Sequence, residues 1–149
     1  MIATFHYYCS TVLYQLAMQI CATMLAIKVT EWGAPTVLRA STAEVPTPGR
    51  GEVLVRVLAA GVNPVETYIR AGTYARKPEL PWTPGNDGAG IVEAVGPETS
   101  GAPAVGARVW LSGTLSGSYA QFALASASDV HALPAALSLY CCRLSRPHV

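Results

Sequence analysis

The stretch from Glu52 to Ala60, EVLVRVLAA, indicates the fold class most clearly. Its alternation places Val53, Val55 and Val57 on one face and Glu52, Leu54 and Arg56 on the other. A half-buried strand shows this period of two, whereas a helix repeats its apolar positions every three or four residues. Prolines and glycines between positions 46 and 51 are typical of a loop before a strand. We therefore predict a β-strand here.

Similar short apolar runs occur on both sides of this strand. Glycine and proline separate most of them, which is typical of a β-barrel or sandwich. One helical turn is predicted at Val65 to Arg70, because Pro64 can occupy an early helix position. The fold class is therefore predicted as mainly β with short helices (α+β). The other predicted strands are Leu25 to Thr30, Val37 to Ala40, Ile91 to Val95, Ala107 to Leu111, Tyr119 to Leu124 and Val130 to Leu133.

Charged residues are concentrated in the middle of the chain. All nine acidic residues lie between Glu31 and Asp129, and eight of the ten basic residues lie between Lys28 and Arg108. A hydrophobic content of 51% with 13% charged residues indicates a globular chain, and 149 residues suffice for one domain. The net charge of +1 gives no electrostatic reason to expect a nucleic-acid or acidic partner.

The two ends of the chain differ from this central block. Residues 1–23 contain no Asp, Glu, Lys or Arg, and the mostly apolar stretch Val12 to Ala22 leaves a membrane or secretory segment open. The lack of a positively charged start, and the polar residues that interrupt the stretch, favour an unrelated extension ahead of Met24. We predict an N-terminal extension at 1–23, one domain at 24–137 and a divergent tail at 138–149.

All four cysteines fall in these ends, at Cys9, Cys21, Cys141 and Cys142. Because residues 22–140 contain none, the sequence excludes a disulfide framework and a thiolate zinc site within the domain. We predict free thiols in a reducing compartment.

The run Gly61 to Tyr74, GVNPVETYIRAGTY, resembles the active-site segment of zeta-crystallin-type quinone oxidoreductases, the zinc-free branch of the medium-chain dehydrogenases/reductases. The resemblance extends from Met24 to about Leu137 and is also carried by SGSYAQFALA at positions 116–125. AIKVTEWGAPTVL, LPWTPGNDGAGIVEAVG and GARVW are shared widely across that superfamily, whereas the run at 61–74 is specific to the quinone-reductase branch. The resemblance implies a GroES-like, partly open β-barrel and hydride transfer from NADPH to a quinone.

The resemblance also implies candidate site residues. The counterpart of Tyr68 contacts the nicotinamide end of NADPH, and Asn63 and Tyr74 are implied to line the same cleft. An aromatic wall suits a flat quinone, and Asn63 or a tyrosine hydroxyl could donate a hydrogen bond to the developing oxyanion. Residue type alone instead favours amphipathic tyrosine rings packed at a barrel edge. For Glu66 we expect a solvated carboxylate at the helix end, with a role in orienting the segment as the alternative.

No catalytic zinc is expected. Zinc-dependent relatives carry a Cys near the position of Asn63 and a His-Glu pair at Asn86-Asp87, and Asn and Asp do not replace such ligands. The one histidine of the predicted domain, His131, is expected to be a packed or surface residue.

No nucleotide-phosphate loop is expected either. The spacing Gly85-x-x-Gly88-x-Gly90 precedes a predicted strand rather than a helix, and the run Gly113 to Gly117 lacks the lysine of a Walker loop. We interpret both runs as turns. The resemblance places the cofactor on a following Rossmann domain, which we expect to be absent from a chain that ends at Val149, so that the NADPH site is incomplete.

Three functions stay open from the sequence. The first is the catalytic-domain portion of an NADPH-dependent quinone oxidoreductase, with a quinone as substrate and little activity alone. The second is a non-catalytic truncated isoform, and the third is a binding module for RNA or protein, with RNA binding implied by the resemblance only. Cytoplasmic location is also implied by the resemblance, and the oligomeric state is left open. The basic residues Arg50, Arg56, Arg70, Arg76 and Lys77 are either ordinary surface charge or a rim that attracts phosphate.

Overall fold

The computed structural model describes residues 23–139, which form seven antiparallel strands and one short α-helix. The predictions for the N-terminal extension, the C-terminal tail and all four cysteines lie outside these residues. Within the described residues, no helix has the length and apolar character needed to cross a bilayer.

The strands are divided between two sheets. Strands β1 (Thr23–Lys28) and β2 (Arg39–Glu44) pair over their full length. The second sheet has the order β6-β3-β4-β5-β7. Its members are β3 (Glu52–Ala60), β4 (Gly88–Val95), β5 (Arg108–Leu111), β6 (Phe122–Ser126) and β7 (Val130–Ala132).

Two isolated bridges, Ala26 with Ala120 and Val29 with Trp82, connect β1 and the residue after it to loops of the rest of the molecule. The two sheets therefore lie together without closing into a continuous barrel. The helix α1 (Pro64–Ala71) follows β3, and short 3-10 turns occur at Pro35–Val37 and Ala127–Asp129. This arrangement confirms the predicted fold class, mainly β with short helices, and the predicted partly open barrel.

The core lies on the inner face of the five-stranded sheet. Aliphatic side chains from five strands or their ends pack there, namely Val53, Val55, Val92, Val109, Leu111, Ala125 and Val130. The alternation predicted for β3 was wrong at Leu54, which is also buried. Leu54 lies between Ala94 of β4 and Leu124 of β6 in the sheet, and its burial shows that the second face of β3 is also covered at this position.

Two predicted strands were displaced in the structure. Residues 35–37 form a 3-10 turn after Ala34, and β2 begins only at Arg39. The polar sequence of β2 carries little strand signal of its own, and antiparallel pairing with β1 makes it a strand. Tyr119 lies outside β6 because its backbone bonds instead to Ile27 and Pro84.

The interpretation of the glycines at 85–90 as a turn was wrong for two of them. Gly88 and Gly90 lie within β4, which begins three residues earlier than predicted. A Cβ atom at Gly90 would lie 2.0 Å from the carbonyl oxygen of Arg56 on β3. The glycine thus permits close approach of the two central strands.

Candidate functional site

The start of α1 is fixed by the residues that flank it. Asn63 is the N-cap residue with extended backbone (φ −103°, ψ 148°), and Pro64 follows in the first turn as predicted. The helix ends at Gly72, whose N–H bonds to the carbonyl of Ile69 and whose positive φ of 78° turns the chain so that the N–H of Thr73 reaches the carbonyl of Tyr68. The segment predicted to carry chemistry is therefore one short, well-capped helix beside the five-stranded sheet.

Glu66 is the buried centre of this region, with 5% of its surface exposed. Its Oε2 atom accepts hydrogen bonds from the backbone N–H of Asn63 (2.9 Å) and from the hydroxyl of Tyr119 (2.8 Å). Its Oε1 atom accepts from the backbone N–H of Asn86 (2.9 Å). The expectation of a solvated carboxylate was wrong, because three donors from three separate segments replace water around it.

Tyr119 is held in its protonated form by this arrangement. Burial raises the pKa of its hydroxyl well above the usual range, and the hydrogen bond to the Glu66 carboxylate raises that pKa further. The nearby negative charges of Glu66 and Asp87 act in the same direction. The phenol therefore keeps its proton, and its bond to Glu66, to a higher pH than an ordinary tyrosine would.

Asn63 is held by two carboxylates. Besides the bond from its backbone to Glu66, its side-chain Nδ2 donates to Oδ1 of Asp87 at 2.8 Å. One N–H of the carboxamide is thereby engaged, and the same nitrogen carries a second hydrogen. Asp87 in turn lies beside Ser118, whose hydroxyl donates to the Asp87 backbone carbonyl at 2.7 Å.

An open cleft of about 1120 Å³ lies beside α1. One wall comes from α1, where Val65, Glu66 and Ile69 line it. Tyr74 and Trp82 supply two aromatic side chains from the chain that follows the helix. The opposite wall is the loop at 114–117, between β5 and β6. The cleft is thus large enough for a flat bicyclic or tricyclic ligand and is lined partly by aromatic rings.

The backbone of the cleft wall is locked at Gly85. Its φ is +100°, and a Cβ atom there would lie 2.2 Å from Oγ of Ser118. Its carbonyl accepts hydrogen bonds from the Ser118 backbone and from the hydroxyl of Thr114 (2.7 Å). The turn before β4 and the loop at 114–117 are therefore held together at this glycine.

The three predicted site residues do not all line the cleft. Tyr74 lines the cleft and is 42% exposed. Tyr68 is 56% exposed on α1, and neither it nor Asn63 is among the residues that line this cleft. Asn63 is nevertheless connected to the cleft through Glu66, which lines it and holds the Asn63 backbone.

The basic residues for which surface charge and a rim were the two alternatives have different surroundings in the structure. Arg50 pairs with Glu98, and Arg56 pairs with Glu93 at 3.4 Å. Arg76 and Lys77 instead line the cleft, where Lys28 at the end of β1 joins them.

A second polar cluster lies at the far edge of the five-stranded sheet. The hydroxyl of Ser112 donates to Oδ1 of Asp129 (2.9 Å) and lies 3.2 Å from Nε2 of His131. The His131 ring packs on Trp110 with a centroid distance of 4.3 Å, as expected for a packed histidine. Among residues 23–139, no group of three or more His, Cys, Asp or Glu side chains is placed to hold a metal ion.

Sequence reasoning missed several residues of this region. Trp82, Tyr119 and Lys28 carried no signal, because their positions depend on contacts between distant segments. The burial of Glu66 did have a sequence signal, because Asn63-x-x-Glu66 has the spacing of a capping box. In the structure the Glu66 side chain accepts from the N-cap backbone, as that motif predicts.

Comparison with known proteins identifies the class to which this fold belongs. The alcohol dehydrogenase GroES-like domain matches residues 49–135, more than half of the chain. The chain therefore belongs to the alcohol dehydrogenase GroES-like domain family.

Several individual proteins of known sequence or structure are similar to this chain. Human quinone oxidoreductase is 54% identical over 112 residues, which cover 74% of this chain and 34% of that protein. A mycobacterial structure solved in complex with NADPH matches with a TM-score of 0.72 and 42% identity, over 78% of this chain and 35% of that one. A quinone oxidoreductase of Pseudomonas syringae matches with a TM-score of 0.73 and 34% identity, over 78% and 35%.

These relatives confirm the predicted resemblance to quinone oxidoreductases of the medium-chain dehydrogenase/reductase superfamily. The chain spans about a third of the length of the quinone oxidoreductases that it matches.

Proposed function

We propose that this chain is the catalytic-domain portion of an NADPH-dependent quinone oxidoreductase and that it contributes the quinone-binding side of the site. The observation that supports this most directly is the cleft beside α1, lined by Tyr74 and Trp82, in a chain 54% identical to a quinone oxidoreductase. Flat rings gain both apolar burial and stacking energy between aromatic side chains. A quinone has the shape and apolarity that such a cleft accommodates.

The chemistry proposed for this site needs positioning rather than a covalent nucleophile. Reduction of a quinone carbonyl builds negative charge on its oxygen, and a fixed hydrogen-bond donor stabilises that charge. Asn63 lies outside the lining of the cleft, so it is the proposed donor to a quinone oxygen that extends beyond that lining; Asp87 fixes one N–H of its carboxamide, and the second hydrogen is left to donate. The hydroxyls of Tyr68 and Tyr74 are the other proposed donors and, with Asn63, the proposed catalytic residues.

NADPH supplies the hydride when it is bound. The residues described here are suited to contact only part of the NADPH molecule. Tyr68, exposed on α1, is the proposed contact for the nicotinamide end. The N-terminus of α1 does not suit a pyrophosphate, since the carboxylate of Glu66 already accepts the Asn63 N–H there. The sequence also lacks a G-x-G-x-x-G turn between a strand and a helix, so we expect weak NADPH binding and little turnover by this chain alone.

Two apolar side chains of equal exposure, Tyr74 in the cleft and Leu58 on β3 outside it, allow a matched test. Calorimetric titration with 2-(hydroxymethyl)anthraquinone, a neutral quinone, measures affinity without NADPH. Tyr74→Leu is expected to weaken binding about fivefold through loss of ring stacking. Leu58→Ala, at a side chain of the same 42% exposure that does not line the cleft, is expected to leave the affinity unchanged.

The proposal is contradicted if the quinone does not bind saturably or if the Tyr74 variant binds as tightly as the parent chain. NADPH titrated in the same way is expected to bind more weakly than the quinone. NADPH affinity equal to that of a full-length relative would contradict the division of the site proposed here. RNA binding and cytoplasmic location stay predictions.

A further inference from the structure

The acidic and basic side chains that line the cleft differ in the hydrogen bonds and ion pairs that they make within the protein. Glu66 is buried, and its carboxylate already accepts three hydrogen bonds from the protein. Lys28, Arg76 and Lys77 also line the cleft, and the ion pairs found among residues 23–139 lie elsewhere. The negative charge of the cleft is therefore surrounded by donors, whereas its positive charges are left to interact with a ligand.

The other carboxylate of the cleft does not balance these cations. Glu79 is exposed, and with Glu66 it makes two acidic residues among those that line the cleft, against three basic residues, an excess of one positive charge. A cleft with walls of low dielectric concentrates the field of such a charge excess inside it. The interior therefore favours a negatively charged ligand.

The opposite wall also presents one hydrogen-bond donor, the hydroxyl of Ser116. Oγ of Ser116 accepts from the backbone N–H of Leu124 at 2.8 Å, which leaves the hydroxyl hydrogen to donate elsewhere. Thr114 is already engaged with the Gly85 carbonyl. The Ser116 hydroxyl and the three basic residues thus line the same cleft as Tyr74 and Trp82.

We propose that the acceptor taken by this cleft is an aromatic quinone that carries an anionic substituent, a carboxylate, sulfonate or phosphate. The inference rests on the proposed quinone-binding function and adds the charge of the substrate to it. The ring stacks against Tyr74 and Trp82, and Arg76 and Lys77 hold the anionic group.

Two anthraquinones of similar size separate charge from ring binding. Calorimetric affinities of this chain are compared for anthraquinone-2-sulfonate and the neutral 2-(hydroxymethyl)anthraquinone. At about 10 mM salt, where screening extends to about 30 Å, the sulfonate is expected to bind about tenfold more tightly. At about 1 M salt, with a screening length of about 3 Å, the two affinities are expected to converge.

A pair of charge-matched variants assigns the effect to the cleft. R76Q/K77Q removes two positive charges that line it, and R50Q/R56Q removes two that form surface ion pairs. The first variant is expected to abolish the preference for the sulfonate and to keep the affinity for the neutral ring. The second is expected to keep both.

Each other outcome overturns a defined part of the account. Equal affinity for the two quinones at low salt overturns the anionic-substrate inference and leaves the proposed function standing. Failure of both quinones to bind contradicts the proposed function itself. A preference lost equally in both variants assigns the effect to net charge. A further outcome is that R76Q/K77Q lowers the affinity for NADPH while the chain does not distinguish the two quinones. That result would assign Arg76 and Lys77 to cofactor binding and would also overturn the inference.

Discussion

Two carboxylates of this domain, Glu66 and Asp129, accept hydrogen bonds from different kinds of segment. Glu66 is buried beside the cleft and takes its donors from the start of α1, the turn before β4 and the loop before β6. Asp129 lies at the far edge of the five-stranded sheet, where it accepts from Ser112 at the end of β5. Ser112 in turn contacts His131 on the neighbouring strand β7.

The difference lies in which segments each cluster joins. Strands β5 and β7 already pair through their backbones, so the cluster around Ser112 adds side-chain contacts to an existing ladder. Glu66 instead connects segments that share no ladder with α1, and Tyr119 lies 53 positions away in sequence. Loss of Glu66 therefore affects the geometry of the cleft, and loss of Ser112 remains local.

The largest effect is expected for Glu66→Gln, compared with Ser112→Ala. The amide keeps the size of the side chain but has one acceptor oxygen, so it cannot satisfy the two backbone donors at Asn63 and Asn86 together. We expect Glu66→Gln to lower the free energy of unfolding by about 3 kcal/mol and Ser112→Ala by about 1 kcal/mol. Urea denaturation followed by circular dichroism measures both. Equal losses, or a larger loss at Ser112, would show that the two clusters do not differ as described.

A smaller effect, visible at alkaline pH, is expected for Tyr119→Phe. Because the folded state raises the pKa of this phenol, the native protein retains a proton that the unfolded chain releases above about pH 10. Stability from this group is therefore constant below about pH 10 and falls as pH rises further. Removal of the hydroxyl should make the alkaline decline shallower.

Thr114→Val is the control for that experiment, since it removes a hydroxyl that bonds to the Gly85 carbonyl and does not ionise in this pH range. It should leave the alkaline decline of the unfolding free energy unchanged, as measured by urea denaturation between pH 8 and 11. Identical profiles for the parent chain and the Tyr119 variant would mean that the phenol is not held by Glu66 in solution.

The parts of the fold that the sequence predicted are those set by local pattern. Strand β3 was predicted with the bounds that the structure has, because alternating valines and preceding turn residues define it. The helix was predicted within one residue at each end, from Pro64 and the run that follows. Strand β2 was misplaced because its sequence, RASTAE, becomes a strand only through pairing with β1.

The candidate site was predictable only where a motif spans it. The Gly61–Tyr74 run marked Tyr74, which lines the cleft. The opposite wall and the bond from Tyr119 to Glu66 arise from segments far apart in sequence, so no local pattern could indicate them. The roles of Asn63, Tyr68 and Tyr74 stay predictions.

The central claim, that the cleft beside α1 binds a quinone, is tested most directly by mapping backbone amide chemical shifts of the isotope-labelled chain during titration with 2-(hydroxymethyl)anthraquinone. The account predicts saturable shifts at Tyr74, Asn86 and Leu115, which line the cleft, and none at Trp110 and His131 on the far edge of the sheet. Saturable shifts confined to the far edge, or no shifts at saturating quinone, would contradict it.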